Sequence, residues 1–287
     1  MSQHSEKKRG DSRRVEGHMA RKRFGQNFLT DERVISQIVA AFAPVRGQNV
    51  VEIGPGLGAI TRELLAPLGR MTVVELDRDL AKALPIRLMG EGELVVHQAN
   101  ALDFDFRSLA TGPHSLRIIG NLPYNISTPI LFYLLTQSDV IADMTFMLQK
   151  EVVERMVAAP GSGDYGRLSV MLQVACEVEW LLGVPPESFS PPPKVDSAVV
   201  RLRPHSTPRY KGVDEKRLQS LLTAAFNMRR KTLRNALRGQ GSPEQLEAAG
   251  IDLGMRPEEV DVATWVRLSQ LLTPQDQSAT GDDKAHP

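Results

Sequence analysis

Three short segments carry residue types whose spacing could do chemistry. The run Val50-Val51-Glu52-Ile53 leads into Gly54-Pro55-Gly56-Leu57-Gly58. Glycines at alternate positions let a backbone turn sharply and approach a ligand that a Cβ would block, and a helix starting behind them turns its N–H groups toward negative ligand atoms. About 20 residues beyond this loop, Glu75 closes a second apolar run, where a carboxylate can accept both hydroxyls of a ribose. These features alone fit two kinds of cofactor. Gly54, Gly56 and Ala59 also satisfy the dinucleotide pattern G-x-G-x-x-G/A, so a nicotinamide or flavin enzyme stands beside other nucleoside-containing ligands. The third segment is Asn121-Leu122-Pro123-Tyr124, directly after the apolar run 116–119.

That tetrapeptide resembles the signature of adenine- and cytosine-amine methyltransferases, which read Asp, Asn or Ser, then Pro or Leu, then Pro, then Tyr or Phe. A hydride-transfer enzyme has no use for it. The exocyclic amine of adenine is a poor nucleophile because its lone pair is delocalised into the ring. The side-chain oxygen of Asn121 and the main-chain carbonyl of Leu122 could accept its two N–H groups and favour a pyramidal nitrogen. Orientation, proximity and hydrogen bonds that strengthen as charge develops then suffice, without a strong general base. Tyr124 would stack on a base that has left its own stack.

These residues need a scaffold that brings them together. Short runs rich in Val, Ile and Leu at 49–53, 71–74, 94–97, 116–119 and 144–148 alternate with helix-length segments, the pattern of a parallel sheet covered on both faces. In such sheets ligands bind at the carboxyl ends of the strands, where Gly54, Glu75 and Asn121 would meet. Two later runs, 178–184 and 197–202, flank the proline-rich stretch 185–193 and are expected to add an antiparallel pair at the sheet edge. Beyond 208 the pattern turns helical, over 213–237 and 243–272. The expected fold is α/β, a Rossmann-like seven-stranded class I methyltransferase sheet spanning 20–208, with a small C-terminal helical domain over 209–273. The polar ends, 1–19 and 274–287, read as disordered tails.

Composition narrows the classes further. A chain of 287 residues, 41% hydrophobic and 24% charged, can bury a large core. A lone cysteine, Cys176, excludes an internal disulfide or a thiolate zinc cluster, and the six histidines show no paired ligand spacing, so no metal is expected. No apolar run approaches the roughly 18 to 20 residues that cross a bilayer, and residues 1–14 are polar, which points to the cytoplasm. The net charge of +1 conceals two basic concentrations. One includes Arg21, Lys22 and Arg23; the other includes Arg229, Arg230, Lys231 and Arg234. Such clusters attract polyanions. In the second, Phe226, Leu233 and Leu237 are spaced to face a core, predicting a helix with one apolar stripe and one basic face.

Four blocks, ARKRFGQNFLTD at 20–31, NLPYNIST at 121–128, FSPPPKVDSAVV at 189–200 and FNMRRKTLRNAL at 226–237, occur in an order that resembles the bacterial branch of the universal small-subunit ribosomal RNA adenine dimethyltransferase family. The likeness extends over residues 17–272. It implies S-adenosylmethionine as methyl donor and N6,N6-dimethylation of two adjacent adenosines in a hairpin near the 3′ end of the small-subunit RNA, on an immature ribosomal particle, by a monomer. Carried onto this sequence, the cofactor contacts fall on Asn27, Leu29, Gly54, Gly56, Glu75, Asn100 and Asn121. Asn100 stands where the family has an aspartate, and its amide oxygen can still accept from an adenine amine. Phe189 would face the target base opposite Tyr124. The basic residues Arg229, Arg230, Lys231 and Arg234, with Arg21, Lys22 and Arg23, would hold RNA phosphates. Two other readings stand beside this one: a large-subunit RNA methyltransferase of the erythromycin-resistance type, and a mainly non-catalytic assembly-checkpoint protein, although the latter would have lost Gly54, Glu75 or Asn121. A DNA amine methyltransferase has less support, because there is no separate target-recognition domain.

Overall fold

The computed structural model describes residues 27–272 together with two short strands, β1 (Arg14–Val15) and β2 (His18–Met19). These two pair antiparallel with Val15 opposite His18, so the expected disordered tail 1–19 contains a ladder. Arg21, Lys22, Arg23 and the tail 274–287 lie outside the described residues.

Two compact units make up the chain: Met1–Val157 with Cys176–Ser206, and Ala158–Ala175 with Thr207–Pro287. The first is built on β3 (Phe28–Leu29), β4 (Asn49–Ile53), β5 (Arg70–Glu75), β6 (Glu93–Gln98), β7 (Leu116–Asn121), β8 (Ile141–Gln149), β9 (Cys176–Val184), β10 (Phe189–Ser190) and β11 (Ser197–Pro204). Seven of these form one sheet in the order β6-β5-β4-β7-β8-β11-β9. From β6 to β8 all neighbours are parallel, and β11 runs antiparallel to both β8 and β9. Val50, Val51, Val73, Ile118 and Ile119 are almost fully buried, which is why these strands read as continuous apolar runs rather than alternating ones. The chain steps outward from β4 to β6 and then returns to β7 on the other side of β4. That reversal creates a crevice outside the carboxyl ends of β4 and β7.

Among the described residues this unit has five α-helices: α1 (Glu32–Phe42), α2 (Ala59–Leu68), α3 (Arg78–Arg87), α4 (Ser127–Leu135) and α5 (Lys150–Val157). Asp31 caps α1 by accepting from the N–H groups of Arg33 and Val34, and Val34, Ile35, Ile38 and Phe42 form its buried stripe. At the opposite end of the sheet from the crevice, Arg117 of β7 pairs with Asp143 at 2.9 Å, donates to the Phe42 carbonyl at 2.7 Å and lies 4.1 Å over the Phe42 ring. It fastens the end of α1 to the sheet.

The second unit contains α6 (Arg167–Ala175), α7 (Glu215–Asn227), α8 (Leu233–Ala236), α9 (Pro243–Ala248) and α10 (Val262–Leu272). Its core joins Tyr165 and Val170 to Leu218, Leu222, Leu237 and Trp265. Segment 158–175 therefore clusters here and not with the sheet, a departure from one continuous unit over 20–208. The two expected helical stretches are also interrupted. The first helix ends at Asn227, and the first N–H groups of the next are taken by other stretches of chain: Leu233 donates to Met255 and Arg234 to Leu253. Among the described residues no helix is long and apolar enough to cross a membrane.

Candidate active site

The carboxyl ends of four neighbouring strands deliver Gly54, Glu75, Asn100 and Asn121 to one cavity of about 190 Å³, which Asn27, Leu29, Gly56, Leu122, Tyr124 and Phe189 also line. The cavity thus collects every cofactor-contact and catalytic residue expected from the sequence.

Gly54 donates to the Val74 carbonyl at 2.9 Å, which fixes the start of the glycine loop against β5. Gly56 has φ +60°, and a Cβ there would lie 3.2 Å from the Phe28 ring. Glycine meets both requirements at the least cost. The Gly56 N–H reaches Glu75 Oε2 at 3.3 Å, while the Asp77 N–H donates to Oε1 at 2.7 Å. Burial pushes the Glu75 carboxyl above its ordinary range, and the N–H groups of Asp77 and Gly56 oppose that shift. Each of its oxygens keeps a further acceptor position, which suits a pair of neighbouring hydroxyls.

A second carboxylate, Glu52, lines the same cavity from the last turn of β4. It is 2% exposed and accepts from the Thr61 hydroxyl at 2.6 Å. Burial raises its pKa to about 7, the Thr61 bond opposes the rise, and the nearby Glu75 charge adds to it. Sequence reasoning passed over this residue. The signal was present, since an acid inside a two-sided buried strand stands out among Val50, Val51 and Ile53.

Asn121 is held by a neighbour from far away in the sequence: its Nδ2 donates to the Asn27 carbonyl at 3.2 Å. That bond fixes the orientation of the amide and leaves Oδ1 as the acceptor available to a ligand. Asn27 is placed in turn by β3, which pairs antiparallel with β10 through Leu29 opposite Phe189 and Phe28 opposite Ser190. The Leu122 N–H is taken by the Met147 carbonyl at 3.2 Å, and among the described residues no backbone donor meets its own carbonyl. The Tyr124 hydroxyl bonds Ser197 Oγ at 2.9 Å, anchoring the far end of the ring on β11, and burial pushes the phenol up so that it stays neutral.

Two expectations change in detail. Phe189 is 4% exposed and belongs to the hydrophobic core around Leu29 and Val199, so it forms a wall of the cavity from within the core. The Asn100 oxygen already accepts from the Leu102 N–H at 3.2 Å, and its Nδ2 faces Asp103 at 3.5 Å, leaving one acceptor position on the oxygen.

The basic cluster departs further. Arg230 and Lys231 are exposed on the turn between α7 and α8, and Arg234 is exposed on α8, so there is no continuous basic helix face. Arg229 is only half-exposed, and its guanidinium is occupied by the carbonyls of Ser162 and Gly163 and by the Glu258 carboxylate at 3.8 Å.

Sheet order, the switch-point cavity and an acceptor-bearing turn at the end of β7 define a class I methyltransferase fold. Similarity to known proteins narrows this. The model of the ribosomal RNA adenine dimethylase family matches residues 17–274, and the chain belongs to that family. It is 52% identical over 257 residues to the ribosomal RNA small subunit methyltransferase A of Alcanivorax borkumensis, covering 90% of this chain and 91% of that protein. Among solved structures it resembles a dimethyladenosine transferase from Plasmodium falciparum, with TM-score 0.72 and 25% identity over 84% of this chain and 95% of that one. It also resembles the 23S rRNA methyltransferase ErmE, with TM-score 0.68 and 30% identity over 86% and 100% of the two chains.

Proposed function

We propose that the protein transfers methyl groups from S-adenosylmethionine to N6 of two adjacent adenosines in a hairpin near the 3′ end of small-subunit ribosomal RNA, giving N6,N6-dimethyladenosine. It acts as a monomer on an immature particle in the cytoplasm. The observation that carries this reading is the meeting of a ribose-type carboxylate, Glu75, and a preset amide acceptor, Asn121, in one cavity.

The residues present fit the methyl donor. The loop comes close to the Phe28 ring at Gly56, where a Cβ would press on it, and Glu75 would hold the ribose hydroxyls. The Asn100 oxygen would accept from the adenine amine, and Asn27, Leu29 and Gly54 would complete the walls. When bound, this cofactor supplies an electrophilic methyl group. The chain's own residues supply the rest. Asn121 Oδ1 and the Leu122 carbonyl accept the two N–H groups of the target amine and turn its lone pair outward. Tyr124, tethered at its hydroxyl, offers a ring face to the extruded base, and Phe189 closes the cavity. These bonds strengthen as positive charge develops on nitrogen. Once one methyl is in place, the remaining N–H needs only one acceptor. The same site can therefore carry out both transfers.

Small-subunit specificity is supported by 52% identity to the Alcanivorax protein against 30% to ErmE. The test is to incubate the protein with labelled cofactor and separately purified, unmethylated small and large subunits, then map the modified nucleotides. Label in two adjacent adenosines of the small-subunit RNA is expected. Label confined to the large subunit would establish the ErmE-like reading, and no label in either would leave only a binding role.

A further inference from the structure

Arg229 sits at the head of the cluster Arg229-Arg230-Lys231, yet its surroundings differ from those of its neighbours. Its guanidinium donates to the carbonyls of Ser162 and Gly163, in the connection that precedes α6, and its Nε faces Glu258 Oε2 at 3.8 Å. Glu258 is mostly buried, and that oxygen has no hydrogen bond; among the described residues its one ion-pair partner is Arg229. The backbone closes the same triangle, because Gly161 N–H donates to the Glu258 carbonyl at 2.7 Å. Gly161 has φ +86°, a turn that exposes the next carbonyls to a cation. Three segments distant in sequence, 161–163, 229 and 258, are thus tied through one side chain. A planar fork reaches the two carbonyls and the carboxylate from separate nitrogens, whereas a lysine ammonium would have to meet all three from one atom on a flexible stem.

We propose that Arg229 is a positioning residue for RNA binding rather than a phosphate ligand: it pins the turn between α7 and α8 so that Arg230, Lys231 and Arg234 are presented in a fixed arrangement. This rests on the reading that the turn faces RNA. One amino group of Arg229 is committed to two main-chain carbonyls and its Nε faces Glu258, whereas Arg230, Lys231 and Arg234 are exposed and charged. Fixing the turn before binding removes an ordering cost that a loose loop would incur on the RNA.

The two roles predict opposite signs for one substitution. If Arg229 contacts phosphate, Glu258→Gln removes a competing negative charge next to the RNA and should tighten binding. If Arg229 is a strap, Glu258→Gln loosens the turn and should weaken it. The experiment measures binding of the full-length protein to an unmethylated small-subunit RNA transcript over a range of salt concentrations. Glu258→Gln and Arg229→Lys are each expected to lower affinity by about threefold to a hundredfold, the span of coupling between contacting residues. The slope of log affinity against log salt should be unchanged, because no phosphate contact is lost. Arg230→Ala with Lys231→Ala should flatten that slope by about 0.7 to 0.9 per contact. Hydrogen exchange should quicken at 161–163 and 228–232 in the strap variants, with cofactor affinity unchanged. Tighter binding by Glu258→Gln, or parental affinity in Arg229→Lys, overturns the strap. An unaltered slope in the Arg230, Lys231 double variant overturns instead the reading that this turn meets RNA.

Discussion

Replacing Glu52 with glutamine should remove a pH dependence of stability that the fold imposes through a single buried carboxyl. Its pKa is raised from 4.5 to about 7, with burial the largest cause. In the folded state the group holds its proton at pH values where the unfolded chain has lost it, so unfolding releases protons. Stability contributed by the neutral carboxyl is fully present below the unfolded pKa and is lost as pH rises through the folded one. That rise corresponds to about 3 kcal/mol of stability, lost progressively between about pH 4.5 and about pH 7. For a domain of this size that is about 6 to 12 °C in Tm. Glutamine has nearly the same shape and can still accept the Thr61 hydroxyl, so the variant should fold. Thermal unfolding followed by circular dichroism at about pH 5 and about pH 8 reads the effect. The parent should lose more Tm than Glu52→Gln across that interval. The raised pKa of Glu75 is common to both proteins and largely cancels in the difference. Parallel Tm profiles for the two proteins would refute the assignment of a neutral, buried Glu52.

Asn121→Ala should slow single-turnover methyl transfer by roughly 10² to 10³, the scale for losing one preorganised transition-state hydrogen bond. Quenched reactions with nucleoside analysis would show it, and a near-parental rate would remove Asn121 from the chemistry. Gly56→Ala forces a positive φ on a residue with a Cβ 3.2 Å from Phe28. A cost of about 1 to 3 kcal/mol should appear as a Tm lower by about 2 to 12 °C in thermal unfolding. Asn100→Asp should bind the cofactor within about tenfold of the parent, because the retained oxygen keeps its acceptor and one hydrogen bond is worth about 0.5 to 1.5 kcal/mol net. A hundredfold change in calorimetry would mean that position 100 does something else.

Much of the first unit was legible because its strands are buried on both faces. Each apolar run marked a strand, and β4 was placed at its observed limits, Asn49–Ile53. The positions of Gly54, Glu75 and Asn121 followed from one rule, that ligands meet the carboxyl ends of such strands. What escaped depends on partners that periodicity does not encode. Residues 167–175 form a helix that no reading of the sequence had marked, and nothing in their spacing says which core receives Val170. The basic block read as one helix because Phe226, Leu233 and Leu237 keep helical spacing across a break; the break is set by Met255 and Leu253, whose carbonyls take the N–H groups that a continuous helix would have used internally. Arg229 read as another exposed cation for the same reason, its partners Gly163 and Glu258 being far away in the chain.

The cavity is assembled from segments that the chain keeps far apart, and the hydrogen bonds between them make its parts interdependent. Asn121 uses its nitrogen on the Asn27 carbonyl and thereby presents its oxygen. Asn27 is held in register by Phe28 and Leu29, which pair with Ser190 and Phe189, and Phe28 also lies against the glycine loop. The proposed acceptor for the target amine, the proposed cofactor loop and the aromatic wall therefore share one support. Residues so connected act as a unit, and their substitutions should not be additive. On the proposed function, Asn27 without Asn121 is a carbonyl in a strap, and Asn121 without Asn27 is an amide without a fixed direction. Catalysis that depends on orientation rather than on a strong base requires that direction to be set before the target nucleotide arrives.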